Sequence, residues 1–371
     1  LILFETRGKS DGRQMVGIRT DANTIIATGH MMRCITIAKS IVSMGGSVTF
    51  FIADEESEIL LKKNLGDLND VSVVVLHTAW DDLINELPVL IEQLQLRNVD
   101  TLLVDSYKVT YDYFKAVDRV CKTAYIDDLH EGIFPVDILI NYSGYHYVFD
   151  YASDYERMHG HKDEPTKLLL GLMYAPLREQ FHTDVAAGMK RSGEVKDILL
   201  ACGGADTQNM ILPMLEVICD RGLNTDGMNW HTVVGDYVDN AEAIEAFASM
   251  HEGITIHRSV KNMASLMRSC NIAVVAAGTM LTECAAVRLP AVFYQVADNQ
   301  RYGVDYWRQP GRMIYAGDVT QDKDMVIAAI VKEVMRLIHD HDLIIKITEG
   351  LLGITDGRGA ERIANALKSE G

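Results

Sequence analysis

The chain has 371 residues, of which 48% are hydrophobic and 23% charged. That length exceeds what one hydrophobic core usually fills, so two domains are expected, and the composition excludes disordered, collagenous and membrane-spanning classes. A formal net charge of -17 argues against nucleic acid or an anionic membrane surface as a partner, so any anionic ligand must be held by local features such as helix N-termini and single arginines.

The predicted elements alternate. In chain order they begin with a strand over 15–21 and a helix over 29–45 that stops at Gly45-Gly46. Strands over 47–53 and 72–77 follow, then a helix over 83–98 that Pro88 is expected to bend or interrupt. A strand over 101–106, a helix over 113–121 and strands over 123–128 and 137–143 complete the first half. The stretch 143–192 is rich in Tyr, His and charge, contains Pro165 and Pro176, and is expected to be a linker carrying a hinge. The alternation then restarts with a strand over 197–204 and a helix over 207–220. Strands over 230–235, 254–259, 272–279 and 290–296 alternate with helices over 241–250, 262–270 and 280–288, and two further helices cover 324–338 and 359–369. Strands alternating with helices imply parallel sheets with right-handed crossovers, so the chain is an α/β protein of two doubly wound domains in tandem.

Six cysteines stand at 34, 121, 202, 219, 270 and 284, none in Cys-x-x-Cys or zinc-site spacing. They read as reduced thiols of a cytoplasmic protein. Residues 1–14 lack the profile of a secretory signal, are an extension of unknown role, and carry no functional argument.

In open α/β sheets ligands bind beyond the carboxyl ends of the strands, often at helix N-termini, and three turns suit that position. In ATGHMMR (27–33), Gly29 permits a close turn, His30 stands at a helix start and Arg33 lies one turn on; the same residues also fit a helix cap with a solvated His and Arg. In CGGADTQN (202–209), Gly203 and Gly204 follow a buried strand, and backbone N–H groups there can cradle a phosphate, although an ordinary strand-to-helix turn fits too. In AAGTMLTECAAVRLPAVFY (276–294), Gly278 and Thr279 open a helix and Glu283 lies about one turn in, where a carboxylate can take both hydroxyls of a ribose or simply favour the helix dipole. Asn299 and Gln300 supply amide groups after the next strand. Asp127-Asp128, a carboxylate pair at a strand end, fits either a metal site or a helix cap.

These turns resemble a known family. IRTDANTIIATGHMMRCITIA (18–38), LVDSYKV (103–109), TAYIDD (123–128), DILIN (137–141), LLGLMYAPLREQF (169–181), LLACGGADTQN (199–209), the segment 260–294 and DGRGAERIANAL (356–367) resemble, in order, the UDP-sugar hydrolases of pseudaminic acid biosynthesis and the related spore-coat polysaccharide proteins. The wider organisation is similar to MurG-type nucleotide-sugar transferases. The resemblance implies a GT-B-like fold of two Rossmann-type domains with an interdomain cleft. It divides the chain into an N-terminal domain over 15–180 with the catalytic His, a UDP-binding domain over 181–355, and a C-terminal helix over 356–371 returning to the first domain.

The same resemblance implies the chemistry. Water displaces UDP from the anomeric carbon of a diacetamido-trideoxy-hexose in one inverting, metal-independent step that needs no cofactor. His30 has a suitable intrinsic pKa for a general base and falls at the family's catalytic position. Asp21 is expected to orient the imidazole or position the water. Arg33, Tyr107, Tyr174 and Arg178 match family positions near the sugar. Gly278, Thr279 and Glu283 fall in the segment that resembles the uridine-diphosphate region, Gly203 and Gly204 in the family's Gly-Gly-x-Asp-x-x-Asn turn, and Asn299 and Gln300 are expected to reach the same UDP. The competing functions are a glycosyltransferase passing the sugar to an acceptor, and a binding module that keeps the nucleotide site without turnover. A UDP-sugar is the expected partner, with no nucleic acid and no stable membrane association.

Overall fold

The computed structural model describes residues 14–23, 26, 29–66, 68–161, 164–182 and 194–368. The extension up to residue 13 and the 183–192 part of the expected linker lie outside the described residues. The chain divides into two compact units, one of residues up to 177 together with those from 358 onward, the other of residues 178–357.

The first unit is built on seven strands: β1 (Met15–Thr20), β2 (Ser47–Ile52), β3 (Val71–Val75), β4 (Thr101–Asp105), β5 (Lys122–Ile126), β6 (Ile138–Asn141) and β7 (Lys167–Leu170). All pair in parallel, in the order β3-β2-β1-β4-β5-β6-β7. Parallel strands covered by helices on both faces read as continuous apolar runs, and β4 shows why. Its Leu103 packs in the cluster formed with α1 (Gly29–Ser43), while Leu102 and Val104 pack in the opposite cluster with α3 (Leu83–Leu96) and α4 (Tyr111–Val117). Neighbouring residues therefore serve the two faces of the sheet.

Three expectations are corrected here. Helix α2 (Glu55–Leu65) was not predicted; it buries only Ser57 and Leu61, too thin an apolar stripe to read from spacing. Helix α3 runs through Pro88 unbroken. Proline removes one helical donor there, and the burial of Leu83, Leu90 and Leu94 against the sheet holds the rest. The supposed linker begins inside the first unit: after a short helix α5 (Tyr151–Tyr155), β7 pairs with β6 as the edge strand, Ile138 opposite Lys167 and Asn141 opposite Leu170. Four residues of edge strand carry little periodic signal, and short edges are a common way to end a sheet.

Helix α13 (Gly359–Leu367) packs on α1, placing Ala360, Ile363, Ala364 and Leu367 in the same apolar cluster. Gly359 is required by proximity, because a β-carbon there would lie 2.1 Å from the Ala175 carbonyl oxygen. The Leu367 carbonyl accepts hydrogen bonds from Gln14 Nε2 at 2.6 Å and Thr101 Oγ1 at 3.2 Å, tying the helix end to the start of the sheet.

The second unit has six parallel strands: β8 (Asp197–Ala201), β9 (Asn229–Val234), β10 (Ile254–Arg258), β11 (Ile272–Ala276), β12 (Ala291–Gln295) and β13 (Ile314–Asp318), in the order β10-β9-β8-β11-β12-β13. Its helices are α6 (Ile211–Asp220), α7 (Ala241–Ser249), α8 (Met263–Ser269), α9 (Thr279–Ala286), α10 (Arg301–Trp307), α11 (Lys323–His339) and α12 (His341–Gly350). Every residue of β11 and β12 is buried, as befits central strands. Strand β13 and helices α10 and α12 were not predicted. Helix α6 begins at Ile211 and not at 207. Among the described residues no helix is long and apolar enough to cross a membrane.

Candidate functional site

Because the sheet of the first unit is parallel, the residues after β1, β4, β5 and β6 emerge along one edge. His30, at the second position of α1, meets Asp105, the last residue of β4: His30 Nδ1 lies 2.6 Å from Asp105 Oδ1. Asp105 is buried, which pushes its carboxyl up, but the Arg33 guanidinium and His30 more than offset this and hold it well below the usual carboxylate range. An ionised carboxylate can only accept, so the shorter contact to Asp105 is satisfied when Nδ1 carries the proton and Nε2 keeps the lone pair; Arg33 Nη2, a donor, lies 3.0 Å from the same Nδ1 and directs its own N–H to Asp105. Tyr107, two residues on, stands edge-to-face with the imidazole, ring centroids 4.6 Å apart at 81°.

Arg33, one turn along α1, fills the space behind. Its Nε donates to Asp105 Oδ2 at 2.5 Å, its Nη2 to Asp105 Oδ1 at 2.5 Å, and its Nη1 to Asp128 Oδ2 at 2.7 Å and Tyr142 Oη at 2.6 Å. Asp128 also accepts from Tyr107 Oη at 3.1 Å. Burial first, and Asp128 second, push the Tyr107 phenol upward, so it stays a donor. The buried Cys34 thiol, 3.4 Å from Asp105 Oδ2, is pushed well above its ordinary value by burial and by that carboxylate and is therefore neutral. Asp127 does act as a cap, though of a turn and not a helix: its Oδ1 accepts from the backbone N–H groups of Leu129 at 3.2 Å and His130 at 2.7 Å.

A second buried network lies beside this one. Arg19 of β1 is fully buried and pairs with Asp21 and with Glu86 of α3, the latter through Nε at 2.8 Å and Nη2 at 2.7 Å. Asp21 also accepts from the Ala53 backbone N–H at 2.7 Å. The expectation that Asp21 orients the imidazole is thus corrected: its carboxylate is taken by Arg19 and Ala53, and Asp105 holds His30. Both aspartates end neighbouring strands, and α1 starts within reach of the one on β4. Asp21 and His30 nevertheless share a cavity of 200 Å³, whose lining also includes Ile26, Trp80, Tyr107 and Lys108. Trp80 and Lys108 were not singled out from sequence: Trp80 is a loop residue outside any motif, and Lys108, though inside LVDSYKV (103–109), is one of many exposed lysines with no pattern of its own. A larger hollow of 730 Å³ lies between α6 and α11 of the second unit, lined by Glu216, Ile327 and Met335 among others, and holds none of the predicted residues.

Tyr174 lies elsewhere, half-buried in a 3-10 turn over 172–174 that packs with the α1–α13 cluster, and is not among the described residues lining the cavity.

In the second unit the predicted residues fall into two turns. Gly278 (φ 147°) precedes α9, whose start has no capping side chain and no acidic residue in its first turn, and Gly278 and Thr279 are exposed. Backbone donors at that end are open to an anion. Glu283 pairs with Arg178 Nη2 at 3.1 Å; burial raises the Glu283 carboxyl, and Arg178 opposes the rise. Gln300 ties its loop to the same turn, donating to the Ala277 carbonyl at 2.9 Å and accepting from the Val296 N–H at 2.9 Å, so its amide is engaged. Asn299 is exposed.

The other turn differs. Gly203 (φ 83°) and Gly204 leave open space around their α-carbons. The backbone donors at the start of α6, however, are taken by Asp206, which accepts from Met210 at 2.9 Å and Ile211 at 3.0 Å. Helix α6 thus starts seven residues beyond Gly204, and two backbone donors at its start are already held by Asp206.

No family model matches the chain. Over 295 residues it is 22% identical to an uncharacterized protein of Methanocaldococcus jannaschii, covering 77% of this chain but only 56% of that protein's length. Over 281 residues it is 26% identical to the UDP-2,4-diacetamido-2,4,6-trideoxy-beta-L-altropyranose hydrolase of Campylobacter jejuni, covering 73% of this chain and 87% of that enzyme. Among solved structures, the MurG of Acinetobacter baumannii superposes with a TM-score of 0.65 at 11% identity, covering 95% of this chain and 99% of that one. With its two parallel-sheet units, the chain has the GT-B-type α/β fold.

Proposed function

We propose that the chain hydrolyses a UDP-linked diacetamido-trideoxy-hexose at its anomeric carbon, releasing UDP and the free sugar with inversion and without a metal ion, as a step of nonulosonic acid biosynthesis. The observation that carries this reading is the His30–Asp105 pair beside a cavity. An imidazole fixed through Nδ1 on a carboxylate is built to take a proton at Nε2. The similarity to the Campylobacter hydrolase supports this choice of reaction class and sugar.

In this mechanism a water oxygen bonds to the anomeric carbon while its proton passes to His30 Nε2. The bond from that carbon to the phosphate oxygen breaks, and its electron pair leaves with UDP. UDP is a good leaving group, so charge stabilisation on the phosphates replaces a strong general acid. The open start of α9 is assigned to the phosphates, and Glu283 to the ribose. Gly203, Gly204, Asn299, Tyr174 and Arg178 are assigned supporting contacts, and Gln300 is assigned the shape of the 277–300 turn.

His30→Asn tests the base. The variant is expected to lose turnover by about 10²–10⁴-fold, the usual weight of a general base, while binding UDP as the unmodified protein does. Release of UDP at a near-normal rate by this variant would remove His30 from the mechanism.

A further inference from the structure

We propose that Lys108 is the cationic contact for the anionic leaving group at the His30 cavity, its ammonium pairing with a phosphoryl oxygen of the nucleoside diphosphate. The inference rests on the UDP-sugar reading above.

Charge accounting carries it. The two arginines of the networks around the cavity are committed: Arg19 answers Asp21 and Glu86, and Arg33 answers Asp105 and Asp128. Each guanidinium faces two carboxylates, so the charge of both is already answered within the networks. With two guanidiniums against four carboxylates, the networks carry more negative than positive charge, in a chain with 52 acidic and 35 basic residues. Of the ionisable groups that line the cavity, the carboxylates Asp21 and Asp105 would repel a nucleoside diphosphate. Lys108 lines the same cavity, is exposed, and forms no ion pair among the described residues. Its backbone is fixed, since the Lys108 N–H donates to Ser106 Oγ at 3.1 Å on the loop that directly follows Asp105. A flexible cation on an anchored stem suits a group whose charge grows as the bond to the sugar breaks.

The test measures binding by calorimetry, with UDP, inorganic pyrophosphate and uridine as probes, on the unmodified protein, Lys108→Ala and Lys108→Arg. Lys108 is exposed, so neither change disturbs packing. In the alanine variant, UDP and pyrophosphate are expected to bind about tenfold more weakly, with uridine unaffected. Arginine is expected to restore most of the affinity, and the salt dependence of UDP binding should flatten in the alanine variant. UDP binding of equal strength and equal salt dependence in the alanine variant overturns the proposal. Absence of UDP binding by the unmodified protein overturns it together with the UDP-sugar reading. Lys108-dependent UDP binding without turnover sinks the hydrolase alone, whereas turnover with Lys108-independent UDP binding sinks the Lys108 contact alone.

Discussion

Asp105 is the residue on which the first-unit site turns, because it holds His30 with one oxygen and Arg33 with both. Asp105→Asn keeps the shape but can donate to Nδ1, which favours the tautomer with the proton on Nε2 and so disables the base. Turnover is expected to fall by about 10²–10⁴-fold with KM little changed. The substitution has a second signature in stability. Asp105 has a depressed folded-state pKa, so the stability it contributes is present above the ordinary carboxylate value, about 3.9, and is lost as pH falls through the folded value. The Tm deficit of Asp105→Asn should therefore be full at pH 7 and shrink only below about pH 4. A deficit that does not change with pH would mean that Asp105 is not held ionised by these partners. At this scale the sequence was partly legible. His30 and Arg33 could be read from the Gly-His-x-x-Arg turn, but Asp105 could not be told from Asp21, since both are aspartates at strand ends and the choice between them depends on a contact 75 residues apart.

The elements were legible where burial is two-sided. Strands such as IAVVA over 272–276 appear as unbroken apolar runs because helices cover both faces, and α1 and α11 have wide apolar faces. What escaped was thin or marginal: α2 with two buried residues, the edge strand β7, and the true start of α6, which Asp206 sets by capturing two backbone donors. Helix α13 is the strongest element-level test. Its sequence is mixed, but four of its residues join the α1 cluster, and Ile363 is fully buried there. Ile363→Ala is expected to cost about 2–5 kcal/mol in urea unfolding of the first unit. A cost under about 1 kcal/mol, the range of surface changes, would show that α13 is not part of that core.

For the whole molecule, composition and alternation were enough to expect two doubly wound α/β domains, and the two parallel sheets with the similarity to MurG bear that fold out. The fold is shared by proteins of different activity, so the reaction must be argued from the site. Hydrolysis needs only a base, a water and a leaving group, whereas transfer needs an acceptor as well. The two readings separate on one observation: incubation of the protein with a panel of UDP-sugars, including the diacetamido-trideoxy-altrose compound, in EDTA and without any acceptor, with UDP release followed over time. Hydrolysis predicts rapid release from the diacetamido sugar with the metal chelated and none from common UDP-hexoses. Binding of that compound without release, or release that appears only when an acceptor is added, would contradict it.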